Sequence, residues 1–84
     1  MSEEELITAG NDAEILINDD VFNRTVNSLV ESSFSTFTSS KPEDTVGREA
    51  TYSFYRALVD IVHTLQQRVT VRDEIINRNN SEGK

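Results

Sequence analysis

The chain contains one proline, Pro42, in SSKPEDTVGREATYSFYRAL over residues 39–58. A proline steers the residue before it away from the helical region, so a helix is not expected to run through Lys41. Helical apolar spacing lies on both sides of this point. The chain therefore has to fold as helices that meet at a corner. Upstream, in INDDVFNRTVNSLVESSF, Asn18 is a suitable N-cap, and Asp19 and Asp20 suit the positive end of a helix dipole. Phe22, Val26, Leu29, Ser33 and Phe37 then recur at spacings of four and three, with Val30 beside them. Six of the eight residues before Lys41 are Ser or Thr, which compete for backbone hydrogen bonds, so the first helix is predicted to end near residue 38.

Downstream, Asp44 or Thr45 can cap a second helix. Its stripe is Ala50, Phe54, Leu58, Ile61, Leu65, Val69 and Ile76. Gly47 is a small residue that could let the helices approach. Asn77, Asn79, Asn80 and Gly83 are stop signals, so the helix is predicted over 46–77, roughly 45 Å long. A short corner makes neighbouring helices antiparallel. The expected fold is all-α: an antiparallel two-helix hairpin (18–38 and 46–77) within a domain spanning 15–78, followed by a disordered tail at 79–84. Phe22, Val26, Leu29, Phe37, Phe54, Leu58, Ile61 and Leu65 form the predicted hairpin core. Pro42, Asp44, Thr45, Gly47 and Arg48 form the corner.

The first fourteen residues read as a mobile acidic arm with a turn-type cluster at Gly10-Asn11-Asp12. The net charge of -7 resides in the first twenty residues, which hold seven carboxylates and no Lys or Arg. Residues 21–84 carry eight acids and eight bases, so no basic stripe is available and direct nucleic-acid binding is not expected. The start is acidic and has no long apolar run, unlike a secretory signal or a membrane span, so no membrane association is expected.

The second predicted helix outruns the first. Its overhang still carries Val69, Val71, Ile75 and Ile76, to be covered by the EILIN segment or by another chain. A further apolar stripe, Tyr52, Tyr55, Val59 and Val62, lies about 110° around the same helix. An 84-residue chain with two unpartnered stripes is expected to associate as a coiled-coil-like homo-oligomer or with another protein. The expected partner interface is Tyr52, Tyr55, Val59, Val62, Val69, Ile75 and Ile76.

Residues suited to catalysis are few. There is no cysteine and one histidine, His63, on the face opposite Phe54 and Leu65. A zinc site or thiolate nucleophile is therefore not expected, and neither is a cofactor. SEEEL and NDD lack the spacing of a calcium loop. Arg48, Arg56, Arg68, Arg72 and Arg78 are interleaved with acids, and the NRT sequon at 23–25 has no secretion signal beside it. The chain reads as a non-enzyme.

The stretch KPEDTVGREATYSFYRALVDIVHTLQQRV, with DDVFNRTVNSL before it, resembles small helical proteins encoded among the head and packaging genes of tailed bacteriophages. Pro42, Glu43, Asp44, Thr45, Gly47, Arg48, Glu49 and Ala50 carry the resemblance, which covers about residues 18–72. The chain departs from the pattern in lacking tryptophan, with Phe34 or Phe37 and Tyr52 in those regions. The resemblance implies a virion or assembly component, in the virion or the host cytoplasm, that self-associates or docks on capsid or portal proteins. The alternatives are a DNA-packaging adaptor of small-terminase type and an acidic host-takeover inhibitor.

Overall fold

The computed structural model describes residues 1–82, and every regular element among them is a helix: α1 (Glu3–Ile17), α2 (Asp20–Ser39) and α3 (Thr45–Glu82). There are three helices, not the two expected. α3 has 38 residues, about 57 Å of helix. α2 runs antiparallel along its first half and α1 along its second half, so α1 and α2 follow one another along a single partner helix. The molecule measures 62 × 24 × 16 Å. Its radius of gyration is 17.8 Å, against about 12 Å for a compact chain of this length.

Residues 1–14, expected as a mobile arm, belong mainly to α1. Ser2 caps it by accepting from the Glu5 amide at 3.2 Å, and the Ser2 hydroxyl donates to Glu5 Oε1 at 3.2 Å. Glu3, Glu4 and Glu5 fill the first turn, where the helix dipole favours carboxylates. Leu6, Gly10, Ala13 and Ile17 then recur at four, three and four, and all are buried or half-buried. Gly10-Asn11-Asp12 does not break the helix, because Gly10 lies on the face against α3.

Asn18 and Asp19 form the α1–α2 junction. Asn18 ends α1, and Asp19, not Asn18, caps α2, accepting from the Val21 amide at 3.0 Å. The Ser/Thr tract stays helical to Ser39 because its hydroxyls bond back into the helix. Ser33 donates to the Leu29 carbonyl at 2.9 Å, and Thr38 to the Ser35 carbonyl at 3.1 Å. The corner is a tight turn: the Asp44 amide donates to the Lys41 carbonyl at 3.0 Å, with Pro42 at the position where its fixed φ fits. Asp44 then caps α3 through the Gly47 amide at 3.1 Å. A Cβ at Gly47 would lie 2.9 Å from Asp44 Cγ, so this glycine makes room for the capping carboxylate. At the other end, α3 continues past Asn77, Asn79 and Asn80 to Glu82. The disordered tail predicted at 79–84 is therefore helical over 79–82, and residues 83–84 lie outside the described residues. Glu3 holds this end, accepting from Arg78 Nη2 at 2.9 Å and Asn79 Nδ2 at 3.4 Å.

The α3 seam is Thr51, Tyr55, Leu58, Val62, Leu65, Val69 and Arg72, alternating four and three. This is the 3.5-residue period of a coiled coil. It corrects the expected core. Leu58 is buried, while Phe22, Val26, Phe37 and Leu65 are half-buried. Phe54 is 48% exposed, Ile61 54% and Leu29 39%. Val59, Val62 and Val69, expected at a partner interface, are half-buried within the chain, and Ile75 is buried, while Ile76 stays exposed. Leu58→Ala should lower stability by about 2–3 kcal/mol, the low end for such a truncation, because the two-layer ribbon can partly collapse. Ile61→Ala should change it by under about 0.5 kcal/mol. Urea titration of both variants checks the seam, and equal losses would place Ile61 inside.

Candidate interaction site

The most connected polar cluster centres on Arg72, a charged residue at a seam position that is only 8% exposed. Its Nη1 donates to Glu14 Oε2 at 2.6 Å and to Asn11 Oδ1 at 2.9 Å. Its Nε and Nη2 donate to Asp73 Oδ1 at 3.1 and 2.9 Å. A buried guanidinium is tolerable only when its donors are met, and here α1 supplies two of the acceptors. The hydrogen bond and charge of Arg72 hold the Glu14 carboxyl below its usual pKa. The same bond, with that to Asp73, raises Arg72 further above its already high value. A guanidinium this firmly protonated is not a proton-transfer group; it fastens α1 to α3.

Gly10 makes the approach possible. A Cβ there would run into Arg72 Cβ and lie 2.8 Å from the Arg68 carbonyl oxygen. Glycine lets the backbone of α1 rest on α3 at the level where Arg72 turns toward Asn11 and Glu14.

At the corner end the surface has a different character. Ser33 and Thr51 line one cavity of about 330 Å3 together with Phe34, Phe37, Tyr52 and Tyr55. Both are small seam residues, so the two helices leave a hollow flanked by aromatic rings. Phe34 is 68% exposed, and Tyr52 and Tyr55 are exposed as well. Arg48 lies over the Phe37 ring, 4.5 Å from its centroid. A shallower hollow of about 530 Å3 continues toward the turn, lined by Phe37, Pro42, Thr45, Arg48, Glu49 and Tyr52. Of the expected corner residues, Pro42, Thr45 and Arg48 line the mouth of an apolar groove, while Asp44 and Gly47 do not. Tyr52 and Tyr55 border it; Val69, Ile75 and Ile76 lie toward the far end of α3. Helix geometry puts Phe54 and Ile61 on the opposite flank of the seam.

His63 is an exposed residue on α3. No group of three His, Cys, Asp or Glu among the described residues is arranged to hold a metal ion. No helix among them is long and apolar enough to cross a membrane. Phe34, Ser33 and Thr51 were not expected at a site. The sequence shows small residues beside aromatics in both helices, but only the pairing of the helices sets Ser33 and Thr51 around one hollow. Arg72 and Gly10 were missed because neither counts as apolar in a periodicity search.

The fold and site define an elongated all-α protein with an exposed aromatic groove. No family model, curated protein or solved structure matches the chain.

Gly10→Ala tests the close approach. An exposed helical glycine gains up to about 1 kcal/mol on this change. Here the collision should reverse the sign and cost about 1–3 kcal/mol, read by thermal unfolding followed by circular dichroism. A higher melting temperature would show that the helices do not meet there. Glu14 supplies a pH test. Because its folded pKa is depressed below that of an unpaired glutamate, its contribution is present above the unpaired value and disappears as pH falls through the folded pKa. Glu14→Gln should melt lower than wild type at pH 7, and the two should converge as acid protonates the Glu14 carboxyl. A difference that does not change with pH would mean that the ion pair contributes nothing.

Proposed function

We propose that the chain is a non-enzymatic helical interaction module of bacteriophage assembly, which works by burying the apolar surface of its α2·α3 half against protein. The observation that carries this reading is the aromatic groove beside the corner, where Phe34, Tyr52 and Tyr55 stand exposed around a hollow. Exposed aromatics clustered around a pocket are the usual anchors of protein interfaces. The corner residues that carry the resemblance to phage head and packaging proteins have local roles here. Pro42 shapes the turn, Asp44 and Gly47 start α3, and Arg48 covers Phe37. Self-association and docking on capsid or portal proteins both use such a surface, in the virion or in the host cytoplasm during assembly.

The test is sedimentation of lysates from cells in which the chain is naturally made. The wild type should travel with head-sized particles, and Tyr52→Glu should return it to the soluble fraction at an unchanged melting temperature. If the wild type stays soluble while particles form, the assembly reading fails.

A further inference from the structure

The surface is too large for a finished monomer. The chain exposes 6272 Å2, whereas a compact monomer of 9.5 kDa exposes about 5,000 Å2. The difference, about 1,200 Å2, is comparable to the roughly 800 Å2 that each partner buries in a standard interface. No large side chain among the described residues is completely buried, so the helical ribbon has two layers but no enclosed core.

The groove holds both a projection and a recess in one patch. Phe34 is 68% exposed at the rim of the hollow formed with Ser33, Phe37, Thr51, Tyr52 and Tyr55. A patch of this kind is self-complementary under a two-fold axis, because each copy's projection meets the other's recess. We propose that the groove is filled by a second copy of this chain, antiparallel about a two-fold axis, with Phe34 of each copy seated among Phe37, Tyr52 and Tyr55 of the other. The inference deepens the interaction reading above by naming its first partner.

Charge selects the orientation. Seven carboxylates and no Lys or Arg lie in the first twenty residues, at and near α1. A parallel pair would set two such segments side by side, and like charges facing each other are unfavourable. The antiparallel pair joins the corner ends, where Lys41, Arg48 and Arg56 accompany the acids, and sends the two acidic ends to opposite extremes. The groove lies about 15 Å from the corner end along α3, so the copies overlap by about 30 Å. Two molecules of 62 Å then span about 90 Å.

Multi-angle light scattering and small-angle X-ray scattering on the purified chain test this. The expected result is twice the 9.5 kDa mass with a maximum dimension near 90 Å. Phe34→Glu should halve the mass with its helical circular dichroism unchanged, since the side chain stands in solvent in the single chain. Ile61→Glu, on the other flank, should remain dimeric. The inference is overturned by a monomer at the highest soluble concentration, by any larger oligomer, or by a dimer no longer than one molecule. It is overturned equally if Phe34→Glu stays dimeric or Ile61→Glu dissociates. A dimer that never joins particles would retain this inference and remove the assembly role. A monomer that joins particles would do the reverse.

Discussion

The pairing of Gly10 with Arg72 is the constraint on which the arrangement of the other parts depends. A helix of 38 residues cannot be covered by a partner of twenty. The uncovered length carries Val69, Arg72 and Ile75, two of which are buried in the folded chain. α1 covers them because a residue without a side chain lets it come close, and because Asn11 and Glu14 satisfy the guanidinium buried by that approach. Remove the approach and Arg72 loses its acceptors on α1. Remove the acceptors and a charged group lies at a seam position with only Asp73 to meet it. Each feature is intelligible only with the other, and together they seat the acidic helix on α3.

The polar residues of the seam explain what could be read from the sequence. The all-helical class and the corner were legible, and its cap was narrowed to Asp44 or Thr45, because proline geometry and helix caps are local effects. The α2 cap was read one residue early, at Asn18. The face of α3 was read about 40° off, by following Phe54 and Ile61 at spacings of four. The true seam passes through Thr51 and Arg72, which a hydrophobicity count discards, and through Tyr55, which the sequence reading placed on the second stripe. α1 was hidden for a related reason. Its seam includes Gly10 and Ala13, whose value is small size, and its start is a Ser2 cap on the Glu5 amide in a run that reads as merely acidic. The groove could not be read directly, since it arises from the facing of Ser33 and Thr51, a register that only pairing of the helices sets.

The two halves of the ribbon use different chemistry. The α1·α3 half is joined by ion pairs, Arg72 with Glu14 and Arg78 with Glu3, around small residues. The α2·α3 half relies on aromatic and aliphatic contact, with Arg48 over Phe37 as its charged element. Exposed ion pairs contribute little individually and are screened by salt. The apolar half does not depend on ion pairs between its helices but leaves rings in water. Both halves leave apolar side chains in water, Ile15 and Ile76 in the first and Phe34 and Tyr52 in the second, but only the second gathers them as aromatic rings around a hollow.

The placing of α1 and α2 in series along α3 has a consequence for how the chain acquires its shape. Pairings near the corner join residues close in sequence: Phe37 and Arg48 are 11 positions apart. Pairings at the far end join Glu3 to Arg78, 75 positions apart. Closing the longer loop first would cost about 1.7 kcal/mol more in chain entropy than closing the shorter one. Closing from the corner outward removes that penalty, since each turn already paired brings the next within reach. The topology is that of a zip whose slider starts at Pro42, and the acidic N-terminal segment supplies its last teeth.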